Sequence, residues 1–144
     1  MGELTHLLAR IPHRGPMCFI DDVLAVGPSS VETTMTLRAD HILAVDGVLS
    51  PIAAIELFAQ SAAVLMSHRT SGSDPNPVAG ALLGTRGVDF VVPELRVGDV
   101  LRVVRDGGKV FVRGIGSTPI EVTSEALAIA QIDRIAAASR GEKP

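Results

Sequence analysis

The sequence places one carboxylic acid, Glu56, in an otherwise apolar segment, 15 residues after a histidine, His41. Burial disfavours an ionised carboxyl group and raises its pKa by up to ~3 to 5 units, so a buried Glu56 would donate a proton near neutral pH. A neutral imidazole, with an unperturbed pKa near ~6.5, is the matching proton acceptor. We therefore expect His41 to act as base and Glu56 as acid.

The segment that carries Glu56 has the signals of a helix start. Ser50 is a favoured N-cap residue, and Pro51 follows at the favoured first helical position. Apolar side chains from residue 51 to residue 66 cover every side of this helix, which predicts that other elements surround it. The segment is too short and too polar for a membrane span of ~20 apolar residues.

The remainder of the chain predicts β-structure. Strict alternation over residues 31–38 indicates a half-buried strand, which would form a hairpin with residues 17–26. A loop of turn-forming residues at 71–77 follows the helix. The predicted later strands are 78–91, 100–105, 110–115 and 120–132, of which the last three would form an antiparallel meander. The economical packing is one α+β domain over residues 1–144, with a curved antiparallel sheet wrapped around a long central helix.

Composition excludes several classes of function. The net charge of -3 and the absence of a basic block give no support for nucleic-acid binding. One cysteine, Cys18, excludes an intramolecular disulfide, and four histidines without paired helical spacing do not predict a metal site. Because Cys18 lies between apolar residues, we expect a buried, inert thiol. The N-terminus does not read as a signal peptide, so we expect a cytoplasmic protein without a membrane span.

Two motifs, in the same order, resemble a known family. Residues 11–24, IPHRGPMCFIDDVL, are similar to the opening motif of the 3-hydroxyacyl-[acyl-carrier-protein] dehydratases, and residues 54–65, AIELFAQSAAVL, are similar to their central-helix motif. Residues 80–90 and 95–103 resemble the glycine-rich strand and the turn that follow in that family. The chain thus resembles a divergent member, and the resemblance implies the hotdog fold.

The resemblance also implies an activity, the removal of water from 3-hydroxyacyl thioesters. The family pairs a histidine with the glutamate of the central helix, and the matching positions here are His41 and Glu56. Enolate charge on the thioester would be met by backbone N–H groups at the helix N-terminus, where we expect Ile52 and Ala53 to be free donors. We also include Gln60 among the substrate-binding residues. The family usually has a glycine where this chain has Pro51, which offers no N–H.

The family further implies the partners. Its members form dimers in which the histidine of one subunit meets the glutamate of the other, and their substrates are carried on an acyl carrier protein or coenzyme A. We therefore expect a homodimer, or a heterodimer with a related dehydratase, and no cofactor. An apolar tunnel for the acyl chain would be lined by residues such as Ile55, Leu57 and Phe90.

Structural interpretations compete with these assignments. Counted from Ser50, Glu56 lies beyond the first turn, where capping and dipole effects operate, so a buried hydrogen bond to Gln60 is the stronger alternative. The alternative interpretation of His41 is that it is an exposed residue of a loop. His13, in the Pro-His-Arg motif, is a rival base, although the corresponding histidine of the family is structural.

Two other functions fit the same residues. A hotdog acyl thioesterase would use the helix carboxylate to activate water and would not need His41. A non-catalytic acyl-binding subunit would pair with an active homologous dehydratase, and Pro51 favours this alternative.

Overall fold

The main sheet of the molecule has six antiparallel strands. The structure is a computed structural model, and it describes residues 2–69, 80–90, 93–106, 109–115 and 121–131. The strands are β1 (Asp22–Val26), β2 (Ser30–Thr36), β3 (Val48–Leu49), β4 (Gly80–Phe90), β5 (Leu95–Arg96), β6 (Val100–Asp106), β7 (Lys109–Ile115) and β8 (Glu121–Gln131). Their order across the six-stranded sheet is β1-β2-β6-β7-β8-β4, and β3 and β5 form a separate two-stranded sheet.

The β1–β2 hairpin confirms the alternating pattern of the sequence. Val31, Thr33 and Met35 on β2 are buried, as a strand with one face toward the core requires. β1 begins later than predicted because Gly15–Met17 forms a 3-10 turn, in which Gly15 has a φ of 55°. The predicted antiparallel meander is also confirmed, since β7 pairs with both β6 and β8.

One long helix, α1 (Ala54–Arg69), packs on the inner face of β2 and β6, after a 3-10 turn at Pro51–Ala53. Residues 54–68 of this helix are all buried or half-buried, in agreement with the expectation of an enclosed helix, although Ile52 in the preceding turn is 64% exposed. Among the described residues, no helix has the length and apolar composition of a membrane span. The helix buries its other side in the core, whose members include Leu7, Ile11, Val23, Val31, Met35, Leu57, Leu65, Leu101 and Val103.

The small β3–β5 sheet was not predicted, because two-residue strands carry no readable periodicity. A tight turn sets it up, with Asp46 at a φ of 51° and Gly47 at 76°, both in the left-handed region. This sheet anchors the far end of the loop that contains His41. The predicted loop at 71–77 and the turn at 116–119 lie outside the described residues.

The packing of α1 makes a specific stability prediction. Leu57 has no exposed surface, so Leu57→Ala should leave a cavity and lower the free energy of unfolding by about 2–5 kcal/mol. Leu24→Ala on β1 is the control, since Leu24 is 46% exposed and its truncation should change stability by less than about 0.5 kcal/mol. Urea unfolding followed by circular dichroism measures both variants, and equal losses would contradict this assignment of the core.

Candidate functional site

Glu56 projects from the first turn of α1 and accepts two polar contacts on one carboxylate oxygen. The Nε2 atom of His13 lies 3.3 Å from Glu56 Oε1, and the Gln60 side chain donates to the same oxygen at 2.9 Å. The expected burial of this carboxyl group among apolar side chains is wrong for one chain, because the Glu56 side chain is 40% exposed. Its position in the helix also differs from the expectation, since α1 begins at Ala54 and its N-terminal dipole favours a negative charge there.

Gln60 is fully buried, and its amide group connects three parts of the molecule. Its Nε2 donates to the Met17 carbonyl at 2.8 Å and to Glu56, while its Oε1 accepts the Phe19 N–H at 2.8 Å. Both amide hydrogens are therefore used within the chain. None is left to bind a substrate, which differs from the expectation that Gln60 is a substrate-binding residue. The structure instead contains the alternative, a Glu56–Gln60 hydrogen bond, although this bond is only partly buried.

His13 is the imidazole that lies beside Glu56 within one chain. The Arg14 side chain holds this segment in place by donating hydrogen bonds to the backbone carbonyls of Ala9, Ile11 and His13. His13 was considered only as a rival base, and the Pro-His-Arg motif was the signal for it. The contact places this imidazole directly against the carboxylate.

His41 lies in the loop between β2 and β3, in a tight turn of its own. Its N–H donates to the Arg38 carbonyl at 3.1 Å, and its Nδ1 accepts the Leu43 N–H at 3.2 Å. The ring packs against Phe19 with a centroid separation of 4.5 Å and a tilt of 59°. Burial lowers the pKa of His41, although the negative charges of Asp40 and Asp21 act in the opposite sense. The ring is therefore favoured in its neutral form, as a proton-transfer site near neutral pH requires.

A cavity of about 380 Å³ adjoins His41. Its wall includes Phe19, Cys18 and Met35, together with Arg38 at the surface. Burial raises the pKa of the Cys18 thiol, so this group stays protonated, in agreement with the expected inert thiol. The cavity is not the predicted tunnel, since the aliphatic residues Ile55 and Leu57 are not part of this wall, and the Phe90 side chain lies outside the described structure.

The backbone at the start of the helix differs from the expected oxyanion site. The Ile52 N–H donates to the Ser50 hydroxyl at 3.4 Å, and the Ala53 N–H donates to the Ser50 carbonyl at 3.0 Å. Pro51 has no N–H. The expectation that Ile52 and Ala53 are free donors is therefore wrong in this conformation, because the N-cap residue occupies both groups.

Comparison with known proteins identifies the family. Residues 5–138 match the model of the ApeP-like family, described as ApeP dehydratase. The chain belongs to the ApeP-like dehydratase family. No curated protein is significantly similar in sequence to this member of the family. Within the described residues, no group of three or more histidine, cysteine or acidic side chains is arranged to hold a metal ion.

Solved structures show that this family member has the hotdog fold, which confirms the predicted α+β class. One chain of the dehydratase heterocomplex ApeI:P from Xenorhabdus doucetiae is 24% identical, with 90% of this chain and 96% of that chain covered and a TM-score of 0.67. Cj0977, a sigma28-regulated virulence protein from Campylobacter jejuni, is 13% identical, with 90% and 89% covered and a TM-score of 0.56. Thioesterase superfamily member 2 from Mus musculus is 9% identical, with 77% and 80% covered and a TM-score of 0.51.

The buried amide of Gln60 generates a prediction for this site. Gln60→Leu should leave the buried Phe19 N–H without an acceptor and lower the free energy of unfolding by about 1–3 kcal/mol. Glu56→Gln is the control, because it retains both bonds from Gln60 to the backbone and removes only a partly exposed charge, with an expected change below about 1 kcal/mol. Urea unfolding of both variants measures the difference. A Gln60→Leu variant as stable as the wild type would show that the amide does not hold this segment.

Proposed function

We propose that this protein is a subunit of a hotdog dehydratase that converts 3-hydroxyacyl thioesters, carried on an acyl carrier protein, to trans-2-enoyl thioesters. Membership of the ApeP-like dehydratase family supports the reaction class. The observation that carries the assignment to particular residues is the position of His41, whose pKa burial lowers, at the wall of a cavity of about 380 Å³. That volume lies in the range of pockets that hold small organic ligands, roughly 300 to 1,000 Å³.

The chemistry needs only a few polar groups. Water leaves when a proton is removed from C2 and the hydroxyl at C3 departs with another proton, so one group must accept a proton and one must supply it. The reaction transfers no electrons to an acceptor and needs no redox cofactor. His41 and Glu56 are the two groups that we assign to it.

Each site would lie between two subunits. Within one chain, Glu56 pairs with His13 rather than His41, its side chain is 40% exposed, and Ile52 in the turn before α1 is exposed. Ile42 and Leu43, beside His41, are also exposed apolar residues. A second subunit that covers both surfaces would bring the imidazole of one chain to the carboxylate of the other and exclude water from the apolar side chains.

The second subunit is either another copy of this chain or a homologous dehydratase. The similar chain from Xenorhabdus doucetiae belongs to a dehydratase heterocomplex, which supports the second arrangement. Occupation of the Ile52 and Ala53 N–H groups by Ser50 favours it as well, because a partner could then supply the missing donors. In that arrangement, this chain alone would not turn over substrate.

Turnover of a 3-hydroxyacyl thioester tests the proposal. We expect formation of the enoyl thioester, measured by mass spectrometry, with the purified chain or after addition of a homologous dehydratase from the same cells. When two copies of this chain form the dimer, Glu56→Gln and His41→Ala should each lower the rate at least ~100-fold, because each removes a group from both sites. When a homologous subunit is the partner, each substitution removes a group only from the site to which this chain contributes it. His6→Ala is the control, since His6 is exposed and bonds only to the Glu3 carbonyl among the described contacts.

Two outcomes would overturn the proposal. Release of free thiol from acyl thioesters, with full activity in His41→Ala, would establish the thioesterase alternative instead. Absence of enoyl product both with and without the homologous subunit would remove the dehydratase assignment from this chain.

A further inference from the structure

His13 and Gln60 both contact the same oxygen atom of Glu56. The Gln60 amide donates to Oε1 at 2.9 Å, and the Nε2 atom of His13 lies 3.3 Å from Oε1. Among the described residues, no contact reaches Oε2, the other oxygen of this carboxyl group. The two oxygens of Glu56 therefore differ in their surroundings, although they are equivalent in a free side chain.

The surroundings of the His13 ring indicate which of its nitrogens carries a hydrogen. Nδ1 is a buried atom without a hydrogen-bond partner among the described residues. Either neutral form of the ring leaves Nδ1 unpaired, but only the form with a hydrogen on Nε2 donates to the carboxyl group of Glu56. A hydrogen on Nδ1 would be a buried donor without an acceptor, which is costly.

The distance from His13 Nε2 to Glu56 Oε1 is slightly longer than the ~2.9 Å of a typical N–H···O hydrogen bond. Contacts between groups of a catalytic site commonly shorten when substrate binds. A small movement of either side chain would bring the contact to full hydrogen-bond length.

Both groups that contact Oε1 are themselves fixed to the backbone of the same segment. The Arg14 side chain donates to three backbone carbonyls between residues 9 and 13, which anchors the chain that carries His13. The Gln60 amide also bonds to two backbone groups of the segment before β1. The position of Oε1 is therefore defined by two anchored side chains.

Glu56 needs such a restraint because its side chain is 40% exposed. The terminal torsion of a glutamate is broad, so a carboxyl group without fixed partners turns its two oxygens in many directions. A displacement of ~1 Å in the position of a reacting group can cost ~100-fold in rate. Two donors on one oxygen restrict this rotation.

We propose that His13 is a positioning residue that, together with Gln60, keeps Oε1 of Glu56 as a hydrogen-bond acceptor, so that Oε2 carries the proton given to the departing hydroxyl. This inference rests on the proposed dehydratase function and keeps the roles of His41 as base and Glu56 as acid. It adds a role in the reaction to His13, for which the family resemblance implies a structural role.

The reaction balances with the proton on Oε2. His41 of the other subunit accepts the C2 proton, and the electron pair of the C2–H bond forms the C2=C3 double bond as the C3–O bond breaks. The departing hydroxyl takes the proton from Oε2 of Glu56 and leaves as water, while the electron pair of that O–H bond stays on the carboxylate. Proton exchange with water then returns both side chains to their starting forms.

Two substitutions of His13 separate a positioning role from a structural one. His13→Gln places an amide N–H near the position of Nε2, so kcat should stay within ~10-fold of the wild type. His13→Leu removes the donor and should lower kcat a further ~10-fold or more, with little change in KM. His6→Leu is the control, since His6 is exposed. Equal kcat values for the two His13 variants, or an effect on KM alone, would overturn the inference.

The dependence on Glu56 gives a second comparison. His13→Leu should cause no further loss of rate in a Glu56→Gln background, because positioning acts only through the carboxyl group. A structural role predicts the same loss in both backgrounds, and that result would overturn the inference. When a homologous dehydratase is the partner, His41→Ala in this chain first silences the site that does not contain Glu56.

Nitrogen NMR tests the hydrogen position without any activity. In protein labelled with ¹⁵N-histidine, the His13 resonances are those that disappear in His13→Gln, and we expect Nε2 to carry a hydrogen near pH 7.5. An Nε2 atom without a hydrogen would overturn the inference even in an active enzyme. Absence of turnover in every preparation, with a hydrogen on Nε2, would instead overturn the proposed function, so the two failures are distinguishable.

Discussion

The buried amide of Gln60 is the constraint on which the site depends. It satisfies the Phe19 N–H and the Met17 carbonyl and also orients the Glu56 carboxylate, so one side chain joins α1 to the segment that precedes β1. Any rotation of the helix would break these bonds inside the protein, where an unsatisfied group costs about 1–3 kcal/mol. Phe19 in turn packs on His41. Gln60 thus positions Glu56 directly and His41 through Phe19.

The start of α1 leaves two side chains partly or largely exposed in the single chain. The Glu56 side chain is 40% exposed and Ile52, in the preceding turn, is 64% exposed, whereas Leu57, Val64 and Leu65 of the helix are buried. A second subunit that covered Ile52 together with the exposed Ile42 and Leu43 would remove apolar surface from water. Pairing of two hotdog chains would therefore complete the core and the site together.

The sequence predicted the fold well because its signals were strong and local. Alternation identified β2, the Ser50-Pro51 pair marked the helix start, and two motifs supplied the hotdog topology. The details of the site were less predictable. The occupied N–H groups of Ile52 and Ala53 depend on a local turn geometry that residue types do not specify, and the partial exposure of Glu56 depends on tertiary packing that the apolar pattern of the segment does not specify.

The central claim is that His41 of one subunit and Glu56 of another form one site, and mixing of inactive subunits tests it most directly. When His41→Ala and Glu56→Gln chains are co-expressed with different affinity tags, each mixed dimer should contain one intact site and recover about half of the wild-type rate. The two homodimers should stay inactive. A mixed dimer without activity, beside an active wild-type dimer, would show that both residues act within the same chain and would contradict the account.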